Sequence, residues 1–132
     1  TTLFRSTAED IVEATVFPDW IATRNYFNFD IHSLVGPGLD KHGAQKEFKA
    51  RGMYTIPYRA CLPEKIDGLL LSGRNISGTH KAHSNYRVMG ICTSIGHGVG
   101  IAAALAVKHQ IQPRAVDPAE IQKQLLACGV QV

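Results

Sequence analysis

One uncharged stretch limits the folds open to this chain more than any other feature: residues 88–107 contain no Asp, Glu, Lys or Arg. Twenty such residues are enough to cross a bilayer as a helix. The same stretch, however, holds four glycines, two hydroxyl side chains and a central His97 among few bulky aliphatic residues, which disfavours membrane insertion. We therefore predict a helix buried inside a protein rather than a membrane partner, and such a helix needs cover on every side.

Composition indicates the kind of protein that holds this helix. The 132 residues are 45% hydrophobic and 19% charged, which supports one ordinary core and excludes an intrinsically disordered tail. Three widely spaced cysteines are too few for a disulfide scaffold and indicate a reducing compartment, so we expect a cytoplasmic protein. The net charge is only +3 and the basic residues are scattered, which argues against a nucleic-acid partner.

The first residues, Thr-Thr-Leu-Phe-Arg, show neither an initiator Met nor the pattern of a signal peptide. We therefore expect the chain to be part of a longer protein that supplies some of the cover for the uncharged helix.

Local patterns predict an α+β fold with a small antiparallel sheet, a short buried strand, a long Gly/Ala-rich helix and a carboxyl-terminal helix. Alternating apolar residues predict strands, and turn or capping residues mark the ends of elements. Five elements are predicted before the long helix. The first is a short helix, opened by a capping box at residues 6–9 and terminated or interrupted at 17–18. The others are a half-buried strand at 26–32, a turn-rich loop at 35–45, a strand within 46–58 that ends or lies on a sheet edge at Pro57, and a buried strand at 69–72.

The carboxyl-terminal helix is the most clearly marked element. Asp117 is a favourable N-cap, Pro118 suits the first helical position, Glu120 is placed to complete a capping box, and Gly129 follows the expected end.

The order of elements between residues 66 and 107 points to a ligand site. A strand that ends in Gly73 brings its backbone close to whatever lies at its carboxyl end. The start of the long helix offers unpaired amides and a positive dipole end, which favour an anionic or electron-rich group. Gly96 and Gly100 lie one helical turn apart and admit either a flat ring system or a closely packed helix; spacing alone leaves both open.

Other ligand motifs are absent from the sequence. The glycines at residues 96–100 lack the spacing of a dinucleotide fingerprint, and there is no P-loop sequence. His80 and His83, even with Cys92 or Asp30, lack a convincing third ligand, so we predict no metal site.

Several uncommon sequence motifs occur in a fixed order along the second half of the chain. They are residues 54–59 (YTIPYR), 66–77 (IDGLLLSGRNIS), 79–80 (TH), 87–89 (RVM), Cys92, Gly96 and 100–106 (GIAAALA). In this order they resemble the carboxyl-terminal part of the FAD-dependent oxidoreductase family, closely over residues 54–129 and more loosely at 30–32 and the first helix. His97 and Val99 depart from the Gln and Ala that are common in the family.

The resemblance implies a division of the chain and a set of partners. Residues 1–65 would belong to a substrate domain, and residues 66–132 would supply the closing strand and helices of an FAD-binding domain. The partners implied are FAD, a small-molecule substrate and an amino-terminal Rossmann part of the same protein. The chain alone is then expected to be inactive, to bind FAD weakly and to self-associate through its uncovered helix.

The resemblance also assigns residues to the site. Gly73 and Arg74 would lie beside the pyrophosphate and ribityl chain, and the amides of Val88 and Met89 would face the pyrimidine end of the flavin.

His80 and Arg87 are the candidates on the substrate side, where they would bind a carboxylate or transfer a proton. A structural ion pair for Arg87 and a hydrogen-bonded loop position for His80 are the alternatives. Asp30 and His32 are candidates for the same cleft. The competing function is a non-enzymatic assembly module whose Gly-rich helix packs on a partner chain.

Overall fold

A computed structural model describes residues 2–32, 36 and 51–132. In chain order its helices and strands are α1 (Ala8–Val12), β1 (Trp20–Asn25), β2 (Tyr54–Pro57), α2 (His80–Tyr86), α3 (Met89–His109) and α4 (Pro118–Ala127), with 3₁₀ turns at Tyr58–Cys61, Gly73–Asn75 and Pro113–Ala115. Helices and a two-stranded antiparallel sheet confirm the α+β class. The loop predicted at 35–45 lies outside the described residues except for Gly36.

The core lies between the sheet and the two long helices. β1 pairs with β2 and packs against both α3 and α4. The two strands run antiparallel with two irregularities in register. Core side chains that are almost completely buried come from each of these elements, namely Ile21, Ile56, Ile95, Ile121 and Leu125.

The first helix begins one residue later than the sequence indicates. Thr7, not Ser6, is the N-cap, and Asp10, not Glu9, completes the capping box. The reason is that Ser6 is held in an extended bridge, since its amide donates to the Ser77 carbonyl. α1 also ends at Val12, well before Pro18.

Two strand predictions are wrong. The strand expected at 26–32 lies at Trp20–Asn25, whose residues are nearly all buried and therefore show no alternation of polar and apolar residues. The short buried strand expected at 69–72 is not formed: Leu69 is 42% exposed, and the Leu71 amide donates to the Cys61 carbonyl in a 3₁₀ turn rather than to a neighbouring strand. Among the described residues it has no ladder partner that would cover it.

Three other element predictions are confirmed. β2 ends at Pro57, as the missing amide of proline requires. α3 occupies the uncharged stretch, with Val88 as its N-cap. α4 begins at Pro118, and the Asp117 carboxylate accepts from the Ala119 amide. The capping box predicted with Glu120 is not present at this helix: the Glu120 carboxylate lies 3.2 Å from His109 Nε2 instead, so it links α4 to the end of α3.

α3 is not covered on every side by the described part of the chain. Its 21 residues include a window of mean hydropathy 1.6, of which 39% is buried. By length and composition it is the one described helix that would suffice to cross a membrane. Core helices of proteins outside membranes share these two properties, so they are weak evidence for a bilayer. Its apolar face is partly open, and Val107 is 80% exposed.

Candidate functional site

A tight turn at Gly73 brings the backbone against the side of α3. Gly73 has a φ of 78°, which is a conformation that favours glycine. A Cβ at this position would lie 3.9 Å from the Cβ of Cys92 on α3. Burial raises the pKa of the Cys92 thiol, and the neighbouring Arg74 guanidinium opposes that rise. Arg74 itself is exposed, so its charge is available at the surface beside the turn.

The amino-terminal end of α3 is open. Val88 is the N-cap, and no side chain in the described part of the protein caps this helix. Met89 is 80% exposed, and a Cβ built on Gly90 would meet nothing within 4 Å. The positive end of a 21-residue helix therefore faces free space.

A groove runs between this end of α3 and the end of β1. It has a volume of about 480 Å³ and is lined by residues 23–27, 88–91 and Ser94. Tyr26 is exposed and Phe27 is partly exposed along one wall. Arg24 lies at the same wall, where the Gln131 side chain accepts a hydrogen bond from its guanidinium and the Gln131 carbonyl accepts one from Thr23. The groove thus combines aromatic surface with the Arg24 guanidinium and the amino-terminal end of α3.

A second, more polar cleft of about 160 Å³ lies beside α2. Its lining residues are Asp30, Ile31, His32, His80, His83, Ser84 and Arg87.

An ion-pair network connects the two sides of this polar cleft. The Arg87 guanidinium donates to the Asp30 carbonyl oxygen at 2.8 Å and lies 3.3 Å from Asp30 Oδ2. The same carboxylate oxygen lies 3.1 Å from His32 Nε2. Asp30 therefore contacts both a guanidinium and an imidazole, and the side chains that were predicted for this cleft lie together.

α2 carries the histidines of the polar cleft. The hydroxyl of Thr79 caps this helix by accepting from the Ala82 amide at 3.3 Å. His83 Nε2 lies 3.0 Å from the Arg74 carbonyl oxygen, which links α2 to the Gly73 turn. His83 was not predicted to line this cleft, although its spacing of three residues from His80 places both on one helical face.

The predicted site residues thus fall into three neighbouring places. Val88 and Met89 line the groove, and His80 and Arg87 line the polar cleft. Gly73 and Arg74 form the turn that packs beside Cys92, one helical turn beyond Val88. The role of each of these residues remains a prediction.

Asn85 is a structural residue of the site that the sequence gives no signal for. It is fully buried at the end of α2, where its side chain accepts from the Tyr54 hydroxyl and donates to the Phe27 carbonyl. Its partners are 31 and 58 residues away in sequence, so no local pattern reveals them.

Comparison with known proteins identifies the family. No curated protein and no solved structure matches the chain. A family model described as FAD dependent oxidoreductase matches residues 2–125, which is most of the chain. The match includes the Gly73 turn, the start of α3 and both walls of the polar cleft. The chain accordingly belongs to the FAD dependent oxidoreductase family.

Proposed function

We propose that this chain supplies the second half of the flavin site and part of the substrate cleft of an FAD-dependent oxidoreductase. Family membership supports FAD as the cofactor of the full-length protein. The observation that carries the placement is the left-handed Gly73 turn packed on α3 beside the uncapped start of that helix. The other half of the FAD contacts would come from an amino-terminal part of the same protein.

The residues present fit FAD in shape and charge. In the proposed arrangement, Gly73 lets the backbone approach the pyrophosphate and ribityl chain, and Arg74 pairs with a phosphate through its guanidinium. The groove has about 480 Å³ for part of a flat ring system. The amides of Val88 and Met89 lie at the positive end of α3, where they stabilise negative charge at the pyrimidine end of the ring. Bound flavin supplies the hydride or electron transfer.

The polar cleft is the proposed substrate side. Arg87 binds a polar or anionic group of a small molecule, while Asp30 holds the guanidinium in place through the contacts described above. His80 is exposed at the start of α2, where its imidazole is placed to accept a proton from a bound molecule or to donate one to it. His32, in contact with Asp30, is available for the same task.

The division of the chain follows the same proposal. Residues 1–65 form part of the substrate domain, and residues 66–132 complete the FAD-binding domain. The open face of α3 and the segment at 69–72, which lack cover in the described chain, pack in this proposal on the amino-terminal part. In the same proposal the protein is cytoplasmic, in keeping with the reducing compartment inferred from the cysteines, and its partners include neither a membrane nor a nucleic acid. The open face also favours the alternative of an assembly module, which needs no flavin.

A matched pair of glycine variants in the full-length protein tests the flavin placement. Gly73 and Gly129 both have a positive φ, of 78° and 86°, so alanine strains the backbone similarly at each. We expect Gly73→Ala to lose most bound flavin, measured by absorbance near ~450 nm relative to protein, because the turn no longer fits the cofactor. Gly129→Ala should keep its flavin.

A third variant, assayed for both flavin content and turnover, distinguishes the cofactor side of the site from the substrate side. His80→Ala in the full-length protein is expected to keep the flavin and to lose turnover. Equal flavin content in the two glycine variants would remove Gly73 from the site, and unchanged turnover in His80→Ala would remove that histidine from the mechanism. A full-length protein without any flavin would favour the assembly module.

A further inference from the structure

A single buried amide joins the two cavities of the site. Asn85 has no exposed surface, and its side chain bonds to two other segments of the chain. Its oxygen accepts from the hydroxyl of Tyr54 on β2, and its nitrogen donates to the carbonyl of Phe27. A backbone carbonyl can only accept, so the contact with Phe27 fixes which way the amide faces.

The segment that Asn85 holds is the shared wall of both cavities. Residues 26–27 line the groove beside Val88 and Met89, and residues 30–32 line the polar cleft beside α2. A movement of this segment relative to α2 therefore changes both cavities at once.

The other links between this segment and α2 are longer or more exposed to water. The Asp30 amide donates to the Ser84 carbonyl at a long 3.4 Å. The Arg87 guanidinium donates to the Asp30 carbonyl at 2.8 Å and pairs with the Asp30 carboxylate, but the two side chains are 34% and 30% exposed, so water competes for these contacts. The Asn85 side chain is fully buried, and leaving its polar atoms without partners costs more. Asn85 is thus the link that water replaces least easily.

We infer that Asn85 is a positioning residue that couples the flavin groove to the substrate cleft by fixing the 26–30 segment against α2. The inference rests on the proposed function, since it assigns a flavin to one cavity and a substrate to the other. Asn85 touches neither ligand in this scheme and acts through the Phe27 carbonyl.

The test uses Asn85→Asp and Tyr54→Phe in the full-length flavoprotein. Asn85→Asp keeps the acceptor for Tyr54 and sets a carboxylate oxygen against the Phe27 carbonyl. The segment should then open, which raises the constant for iodide quenching of flavin fluorescence about fivefold and alters the visible circular dichroism of the flavin. Tyr54→Phe removes the other hydrogen bond of the same amide, so it should lower the melting temperature with both flavin signals unchanged.

A second variant covers the case in which Asn85→Asp does not fold. Asn85→Ser is too short to reach the Phe27 carbonyl directly and introduces no charge, and it should change the flavin signals in the same direction. If either folded Asn85 variant matches Tyr54→Phe in both flavin signals, the coupling role is overturned. A wild-type protein without flavin would instead refute the proposed function, so the two failures are distinguishable.

Discussion

The two faces of α3 contain the same small residues but meet different surroundings. On the packed face, Gly98 lies against β1, and an added Cβ would collide with the Ile21 carbonyl and lie 2.8 Å from the Ile21 Cβ. On the open face, an added Cβ at Gly100 would meet nothing within 4 Å. Gly98 is therefore required by contacts within this chain, whereas nothing in the described part of the chain requires Gly100. We expect Gly100 to face the surface that covers α3 in the proposed full-length arrangement.

The largest expected effect comes from filling the packed face. Gly98→Val should destabilise the protein by about 3 kcal/mol, because the added side chain overpacks a contact with backbone that cannot move aside cheaply. Chemical denaturation of the chain produced alone measures the loss of stability. Gly100→Val is the control, and an equal loss of stability at both positions would contradict the difference between the two faces.

Buried thiol and phenol groups in the core should also make the folded protein less stable in alkali. Burial raises the pKa of Cys61 from 9.0 to about 12 and that of Tyr86 from 10.0 to about 12. Above pH 9 the unfolded chain releases protons that the folded chain keeps, so stability falls as pH rises from 9 towards 12. At pH 10.5 the raised pKa of Cys61 lowers the free energy of unfolding by about 2 kcal/mol.

Denaturation at pH 8.0, 9.5 and 10.5 measures this slope, and Cys61→Ala serves as the comparison. The variant should lose less stability between pH 9 and 10.5 than the wild type. A stability that stays level up to pH 10.5 would show that these groups are more accessible to water than the packing indicates.

The smallest effect gives the sharpest test of the open face. Gly100→Ala should stabilise the chain produced alone by about 0.5–1 kcal/mol, because alanine is the better helix former and has free space. In the full-length protein the same change should destabilise, since the covering surface then meets the methyl group. Lys123→Ala on the exposed side of α4 should have the same sign in both proteins. Stabilisation of both proteins by Gly100→Ala would indicate that the face stays uncovered.

Elements with strong local signals were predicted well from the sequence. α3 follows from an uncharged run, and α4 follows from Asp117, Pro118 and Gly129, since capping and charge act within a few residues. The end of β2 at Pro57 is equally local. The sequence motifs around Gly73 and at the start of α3 likewise indicate the family without any long-range contact.

Elements that depend on distant partners were predicted poorly. β1 is buried by β2, α3 and α4, so its sequence lacks the alternation of a half-exposed strand. The 69–72 segment has the composition of a buried strand but no pairing partner in the described chain. The polar cleft depends on a contact between Arg87 and Asp30, which are 57 residues apart in sequence. A pattern within a short stretch of sequence cannot reveal such a contact.

The attachment of β1 to the end of the chain has a consequence for the order of folding. Thr23 bonds to Gln131 across 108 residues, and Gln122 bonds to the Trp20 carbonyl across 102. Closing such long loops costs entropy before any contact repays it, which slows folding. The groove wall beside Val88 is therefore expected to form after the local helices. Pulse-labelled hydrogen exchange would show late protection at the Thr23 amide if this order holds, and early protection there would contradict it.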